Sequence, residues 1–313
     1  MKSLIVGGAG FVGFYLTAHL LEEGEEVAIT KLPGEVPHTD MAVAYDLDIL
    51  NKGEIFDLLS RLRPDRIYHL AALASVALCW KNPSAAIDVN VKGAVNLMDA
   101  IREIPDYNPR ILVIGSGEEY GHVRPEDIPI DEETPVRPGN IYAATKAAQG
   151  LMCGIYARAY GMDIMTVRAF NHIGPEQAPI YVVADFCRQV ARIEKGLQDP
   201  VMKVGNLSAM RDFSDVRDVV RAYRLLMEHG RSKETYNVGS GKAISIEELL
   251  HMILGISKVH IDVEVDPARL RPVDVPIIEA DTTKIYHDTG WKPEIPLAET
   301  IARTLDYWRR KDD

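Results

Sequence analysis

The stretch Ser3-Leu4-Ile5-Val6-Gly7-Gly8-Ala9-Gly10-Phe11-Val12-Gly13 decides the fold of this chain. Its first four residues are an apolar run that predicts a buried strand, and the apolar spacing from Phe14 to Leu21 predicts a helix. Glycines spaced Gly7-x-x-Gly10-x-x-Gly13 between a strand and a helix allow a tight turn and the close approach of a pyrophosphate to the helix N-terminus. The stretch therefore predicts a dinucleotide-binding site formed by Gly7, Gly10, Phe11, Val12 and Gly13.

Strands and helices alternate from this stretch as far as residue 114. The further strands are predicted at Glu26–Thr30, Met41–Ala44, Arg66–Leu70 and Arg110–Ile114. Such alternation predicts an α/β fold, namely a Rossmann-like doubly wound parallel sheet. Prolines at 175, 179 and 200 then interrupt the alternation, which predicts a smaller C-terminal substrate-binding lobe. We assign residues 1–168 to the dinucleotide-binding domain, to which 214–230 return, and 169–313 mainly to the second lobe.

The overall composition limits the possible partners. A net charge of −11 over 313 residues argues against a general nucleic-acid or anionic-membrane binder. No apolar run reaches the ~20 residues that a membrane helix needs. The three cysteines, Cys79, Cys153 and Cys187, are too scattered for a disulfide framework or a metal site. We therefore expect no metal, no membrane and no nucleic-acid partner, with reduced core thiols and a cytoplasmic location.

The end of the second strand bears on the choice of dinucleotide. An acidic residue there would bind a ribose hydroxyl and favour NAD(H), but this strand ends in Thr30-Lys31. The cation favours NADP(H), although a solvated Lys31 would leave NAD(H) possible. Small residues after the fourth strand leave room for a ligand, whereas a buried Asn90 could serve helix packing instead. The cofactor-binding candidates beyond the glycine turn are Lys31, Asp48, Ile49, Leu70, Ala71, Ala72 and Asn90.

A predicted helix after Pro138-Gly139 carries Tyr142 and Lys146, four residues apart and therefore on one face. An ammonium near a phenol favours the phenolate, so we expect Lys146 to lower the pKa of Tyr142 towards neutrality. Ser116, which follows the fifth strand, could hydrogen-bond the substrate oxygen that Tyr142 touches. A surface Tyr and Lys pair and a polar turn at Ser116 are the structural alternatives.

These three features, in this order, resemble the extended short-chain dehydrogenase/reductase family, and the likeness extends over essentially the whole chain. Within that family, Ile114–Gly121 and Phe170–Pro175 resemble the reductases of the GDP-mannose branch, which act on a 4-keto-6-deoxymannose. The resemblance implies catalysis by Ser116, Tyr142 and Lys146, with the last two also contacting the cofactor. It implies a GDP-linked deoxyhexose as substrate and a homodimer built on the helices around 90–101 and 142–160. The substrate-binding residues that it implies are Ser116, Glu118, Asn171, Asn206, Arg211 and Arg271.

The same resemblance leaves other reactions open. A 4,6-dehydratase of this branch would use Glu118 as an additional acid/base group, so we include Glu118 among the catalytic candidates. Against it, the dehydratases usually carry Thr at position 116 and Ser or Asp at position 117, where this chain has Ser116 and Gly117. A nucleotide-sugar 4-epimerase and a dinucleotide-sensing protein without turnover are further alternatives. The complete Ser, Tyr and Lys set argues against the last of these.

Overall fold

The structure is a computed structural model that describes residues 1–269 and 275–311. In chain order, its strands are β1 (Lys2–Val6), β2 (Glu26–Lys31), β3 (Val43–Asp46), β4 (Arg66–His69), β5 (Arg110–Ser116), β6 (Ile164–Ala169), β7 (Asn171–Ile173), β8 (Val201–Val204), β9 (Met210–Asp215), β10 (Thr235–Val238), β11 (Ala243–Ser245), β12 (Asp262–Val265) and β13 (Ile277–Ile278). Its α-helices are α1 (Phe11–Glu22), α2 (Lys52–Leu62), α3 (Val76–Lys81), α4 (Pro83–Ile87), α5 (Gly93–Glu103), α6 (Ile141–Tyr160), α7 (Val182–Glu194), α8 (Val216–His229), α9 (Ile246–Leu254), α10 (Thr283–Thr289) and α11 (Leu297–Arg310). A π-helical turn, Asp88–Lys92, joins α4 to α5.

A seven-stranded sheet in the order β3-β2-β1-β4-β5-β6-β10 forms the centre of the molecule, and all of its strand pairs are parallel. The predicted α/β doubly wound fold is confirmed. The strand order reverses between β1 and β4, and ligands bind at the carboxyl ends of the strands at such a point. The fifth strand is longer than predicted: β5 ends at Ser116 rather than Ile114, because Gly115 and Ser116 still pair with β6. Ser116 is therefore held in the sheet by its pairing with β6, and it also caps the short turn Gly117–Tyr120 that follows.

Helices cover both faces of this sheet. On one face, α2, α5 and α6 bury a core that includes Ile67 and Met98. On the other face, α1 and α8 bury a second core that includes Tyr68 and Leu16. Ile67 and Tyr68 are neighbours on β4 and enter opposite cores, as the two-residue period of a strand requires.

The second lobe packs against the carboxyl edge of the large sheet. Its core lies among α7, α9 and α11, and its short strands form the β7/β9/β11/β13 and β8/β12 sheets. Chain segments from this half also return to the first lobe. Helix α8 packs on α1, and β10 adds an edge strand to the large sheet, with α10 against it. The sequence predicted only the return of 214–230, and we keep a division near residue 169 as a proposal.

Three buried carboxylates at the junction of β9 and α8 connect distant segments. Asp212 accepts hydrogen bonds from three backbone N–H groups of residues 240, 241 and 280, at 2.6 to 3.2 Å. Asp215 caps α8 and accepts a hydrogen bond from the Thr300 hydroxyl at 2.8 Å. Asp218 accepts from the N–H groups of residues 294 and 295 at 2.9 and 2.8 Å. These contacts hold the C-terminal segments against both lobes.

The contact between α1 and the glycine turn has a stability consequence. A Cβ at position 13 would lie 2.2 Å from the Gly8 carbonyl oxygen, so an alanine must push α1 away from the turn. We expect Gly13→Ala to lower the free energy of unfolding by about 1–3 kcal/mol, measured by urea denaturation. Gly150→Ala, in the middle of α6, is the matched control, because a Cβ there would have no atom of residues 1–269 or 275–311 within 4 Å. The control should raise the free energy of unfolding by about 0.5–1 kcal/mol, because alanine favours a helix more than glycine does. Equal effects of the two substitutions would contradict a packing role for Gly13.

Candidate active site

The glycine turn forms a cradle of backbone groups at the end of β1. Gly7 has a φ of +78°, and a Cβ there would lie 2.6 Å from the backbone of Ala71, so the turn needs glycine on both counts. Among the described residues, a Cβ on Gly10 would meet nothing within 4 Å, which leaves open space in front of α1. Helix α1 has no side-chain cap and no acidic residue in its first turn. Its N-terminal N–H groups therefore fit the pyrophosphate of a dinucleotide.

A cavity of about 1200 Å³ extends from this cradle along the carboxyl edge of the sheet into the second lobe. It brings together residues predicted from very different parts of the sequence. The predicted residues that line it are Gly7, Gly10, Phe11, Val12, Gly13, Lys31, Asp48, Ile49, Leu70, Ala71, Ala72, Ser116, Glu118, Tyr142, Lys146, Asn171, Asn206 and Arg211. The predicted Arg271 lies outside the described residues.

Ser116, Tyr142 and Lys146 meet at the middle of this cavity. Asn140 starts α6 by accepting a hydrogen bond from the Ala143 N–H at 2.9 Å, which places Tyr142 in the first turn. The Ser116 hydroxyl accepts a hydrogen bond from the Glu118 N–H at 3.2 Å and lies close enough to Tyr142 to affect the pKa of its phenol. Lys146, one turn further on, is buried, and its ammonium donates to the side-chain oxygen of Gln149 at 2.8 Å. The sheet and one helix N-terminus thus fix all three side chains.

The prediction that Lys146 lowers the pKa of Tyr142 is wrong for this arrangement. Burial raises the pKa of Tyr142 well above its ordinary value, and the neighbouring Ser116 hydroxyl offsets only part of that increase. Burial also lowers the pKa of Lys146 to about 8, although the nearby Glu119 acts in the opposite direction. The Lys146 ammonium hydrogen-bonds Gln149, and the loss of solvation dominates both groups. Tyr142 is therefore a neutral phenol at pH 7 and can donate a proton.

The two adjacent glutamates after β5 have different roles. Glu119 is buried, accepts from the Ser116 N–H at 2.8 Å and pairs with Arg168 at 3.2 Å. Glu118 lines the cavity and accepts a hydrogen bond from the Asn140 side-chain amide at 3.1 Å. Glu119 therefore stabilises the turn, while Glu118 is placed to act on a ligand. Asn140 was not predicted from the sequence, although an Asn directly before a helical run is a recognisable cap.

The predicted cation at the end of β2 has an acidic neighbour that the sequence analysis missed. Lys31 lies beside Asp46 of β3 in the parallel register, and the two side chains form an ion pair. Lys31 still lines the cavity and is half-buried. Strand pairing brings this carboxylate next to the cation. The site at the end of β2 therefore contains an acidic group, although β2 itself does not end in one.

Asn90 does not line the cavity, which corrects its assignment as a cofactor contact. Its side chain is fully buried and is used by the protein itself. The amide oxygen accepts from the Leu73 N–H at 2.7 Å, and the amide nitrogen donates to the Thr145 hydroxyl at 2.9 Å and to the Leu73 carbonyl at 3.2 Å. Asn90 thus fixes the loop after β4 against α6, which is the packing role that the sequence left open.

The second lobe supplies cations and polar groups to the far end of the cavity. Arg211 reaches it while donating to the Val275 carbonyl at 2.7 Å, and Asn171 and Asn206 also line it. Arg269, which the sequence analysis did not select, lines the cavity and forms an ion pair with Asp185 of α7. The signal for Arg269 was present, because it lies two residues before the selected Arg271.

Comparison with known proteins gives consistent matches over the full chain. Residues 4–304 match the family model described as GDP-mannose 4,6 dehydratase. The chain is 34% identical to the GDP-6-deoxy-D-mannose reductase of Pseudomonas aeruginosa, covering 99% of this chain and 98% of that protein. It is 30% identical to GDP-mannose 4,6 dehydratase 1 of Arabidopsis thaliana, covering 97% of this chain and 88% of that protein. The solved structure of RMD from Pseudomonas aeruginosa, complexed with NADPH, has a TM-score of 0.88 and 32% identity, covering 99% of both chains.

The fold, the glycine cradle and the Ser116, Tyr142 and Lys146 site define an NAD(P)-dependent enzyme of the short-chain dehydrogenase/reductase type. The family match shows which branch it is: the chain belongs to the GDP-mannose 4,6-dehydratase family. This family lies within the predicted superfamily of nucleotide-sugar reductases, dehydratases and epimerases. In the described parts of the chain, no helix is long and apolar enough to cross a membrane.

The double role of Asn140 can be separated by substitution. Asn140→Ala removes the helix cap and the hydrogen bond to Glu118, and we expect a loss of about 1 kcal/mol in the free energy of unfolding. Asn140→Asp keeps a capping oxygen but places a second carboxylate beside Glu118. Its stability at pH 7 should stay within about 0.5 kcal/mol of the wild type, because Asp and Asn are comparable caps. Urea denaturation of both variants measures this, and an equal loss in both would exclude capping as the main role.

Proposed function

We propose that this enzyme reduces the C4 keto group of GDP-4-keto-6-deoxy-D-mannose to give GDP-D-rhamnose, with NADPH as the reductant. The observation that carries the proposal over a dehydratase is the packing of Gly117. A Cβ at this position would lie 3.1 Å from the ring of Phe170, which is itself buried. The Ser or Asp that the dehydratase pattern has there would require this ring to move. The 34% identity to a GDP-6-deoxy-D-mannose reductase, against 26–30% to GDP-mannose 4,6-dehydratases, supports the same choice.

The residues of the cavity account for the proposed reduction. The glycine cradle and the N-terminus of α1 would hold the pyrophosphate of the dinucleotide, and Lys146 would bind its nicotinamide ribose. When bound, NADPH supplies the hydride. Negative charge develops on the C4 oxygen of the sugar, where Tyr142 donates a proton and Ser116 orients the oxygen by a hydrogen bond. The neutral state of Tyr142 suits this direction, since the phenol arrives already protonated.

Lys31 supports NADPH over NADH in this proposal. A ribose 2′-phosphate needs a cation at the end of β2, and Lys31 lines the cavity there. Asp46 opposes the preference, because it already pairs with Lys31. We infer that the phosphate competes with Asp46 for the ammonium.

We also propose a homodimer. The outer face of α6 carries Leu151, Met152 and Ile155, which are exposed in the single chain. Exposed apolar side chains at helical spacing favour burial against a second copy.

The dehydratase remains the second candidate function because Glu118 lines the cavity. A dehydratase needs a group that removes the C5 proton, and the Glu118 carboxylate, held by Asn140, could supply it. The dehydratase needs the Glu118 carboxylate as a base, whereas the reductase does not. Substitution of Glu118 can therefore distinguish the two reactions.

The decisive experiment mixes the protein with NADPH and freshly prepared GDP-4-keto-6-deoxy-mannose and follows the nicotinamide absorbance. Stoichiometric loss of NADPH is expected, with slower loss of NADH at equal concentration. Tyr142→Phe should reduce kcat by about 10²–10⁴-fold with unchanged NADPH affinity, because only the proton donor is lost. Tyr160→Phe, an exposed tyrosine at the end of the same helix, is the control and should keep full activity. Unchanged turnover in Tyr142→Phe would remove this residue from its proposed role.

Replacement of Glu118 distinguishes reductase from dehydratase. In the reductase, Glu118→Gln should lower kcat by less than about tenfold, because the amide can still hydrogen-bond the sugar and no proton is taken from carbon. In a dehydratase, the same change should abolish conversion of GDP-mannose to the ketosugar, with a loss of about 10²-fold or more. The wild type and Glu118→Gln are each assayed for NADPH oxidation with the ketosugar and for ketosugar formation from GDP-mannose. Ketosugar formation from GDP-mannose by the wild type, without NADPH oxidation in the first assay, would overturn the reductase proposal.

A further inference from the structure

A buried glutamine stands directly behind the catalytic lysine. Gln149 follows Lys146 by three residues on α6 and is completely buried. Its side-chain oxygen accepts the hydrogen bond from the Lys146 ammonium at 2.8 Å, and both atoms lie inside the protein. An ammonium has three N–H donors and accepts none, so only the carbonyl end of the amide can face it. One of the three donors is therefore taken by Gln149.

The other end of this amide argues against a purely packing role. In the part of the chain that the structure describes, the Gln149 side-chain nitrogen has no hydrogen-bond partner, although it is buried. An unmatched buried donor is destabilising, and a leucine of similar volume would avoid that penalty. Gln149 does not line the cavity and so does not itself contact a ligand there. The observation that explains a glutamine at this position is its contact with Lys146.

We propose that Gln149 is a positioning residue that holds the Lys146 ammonium from behind, keeps it protonated and directs its remaining N–H donors into the cavity. A neutral carbonyl suits this purpose. It stabilises the ammonium by a hydrogen bond without neutralising its charge, so Lys146 stays available to the hydroxyl groups of a nucleotide ribose. The inference rests on the proposed contact between Lys146 and the cofactor.

The other groups around Lys146 do not replace this contact. Glu119, in the turn after β5, favours the ammonium from a distance but is itself paired with Arg168. Cys153 of α6 and Cys79 of α3 are buried thiols, and burial raises the pKa of each, so both stay neutral at pH 7. His69, at the end of β4, is also neutral, because burial lowers its pKa to about 3. Gln149 is thus the direct hydrogen-bond partner that the structure records for the ammonium.

The test compares Gln149→Leu and Gln149→Glu. The affinity for NADPH is measured between pH 6 and pH 10 by nicotinamide fluorescence, with Lys146→Met as the baseline that lacks the titrating group. In the wild type, affinity should fall as the pH rises through the pKa of Lys146, which burial lowers to about 8. Gln149→Leu removes the acceptor of the Lys146 hydrogen bond. It should lower the pH at the midpoint of this fall in affinity by about one unit. Gln149→Glu should move it up by at least as much, because a carboxylate favours the ammonium more strongly than a carbonyl does.

A second readout needs neither cofactor nor sugar. The pKa of Lys146 is lower in the folded than in the unfolded chain, so the unfolded state binds more protons above pH 8, and stability should rise with pH there. Measured against Lys146→Met by urea denaturation, this rise should begin at lower pH in Gln149→Leu and at higher pH in Gln149→Glu. Failure of the reductase assay would leave both readouts intact, which separates this inference from the proposed function.

The matched control is Gln189→Leu, which removes a buried glutamine of α7 that bonds the backbone of Lys203 at 3.0 Å. It should change stability without moving either midpoint. Opposite shifts for Gln149→Leu and Gln149→Glu support the positioning role. Wild-type midpoints in both Gln149 variants, or shifts of the same size in Gln189→Leu, would overturn it.

Discussion

The close approach of α1 to the loop that precedes it is the constraint on which the site depends. Gly13 lies against the Gly8 carbonyl, and Gly7 lies against the backbone that follows β4. These contacts set the first helix directly over the carboxyl edge of the parallel sheet. Its uncapped N–H groups then face the cavity, and every other element of the site is arranged around that edge. Bulkier residues at these two positions would move the helix and remove the cradle.

The cavity also depends on how the second half of the chain is anchored. The segment from Arg211 to Asp218 runs through β9 into α8, and its three buried carboxylates accept hydrogen bonds from residues between 240 and 300. Burying carboxylates is unfavourable unless hydrogen bonds and ion pairs compensate, and here backbone N–H groups, two hydroxyls and the guanidinium groups of Arg217 and Arg221 do so. The same segment sends Arg211 into the cavity. One short stretch therefore joins the lobes and contributes to the site between them.

Burial sets the electrostatics of the two residues proposed for catalysis, Tyr142 and Lys146. Both Tyr142 and Lys146 move towards their neutral forms, because the low-dielectric interior penalises charge on each. The attraction between an ammonium and a phenolate, which is all that residue spacing reveals, predicts a lowered pKa for Tyr142, whereas burial raises it. A protonated phenol beside Ser116 suits proton donation to a developing alkoxide. The same burial explains why Lys146 needs a hydrogen-bond acceptor such as Gln149 to remain charged.

Local spacing in the sequence was enough to predict the parallel sheet, the glycine cradle and the single face that carries Tyr142 and Lys146, because a few neighbouring residues determine turns and helix faces. The spacing could not show that Asp46 lies beside Lys31 or that Asn90 hydrogen-bonds Thr145. Nor could it show that β10 is the edge strand next to β6. Those facts depend on strand order and helix packing between residues 15 to about 70 positions apart. The pKa of Tyr142 likewise depends on the depth of the cavity, which exists only after both lobes have folded around it. Sequence therefore determined which groups this enzyme has, and the tertiary structure decided which of them meet and how strongly they are charged.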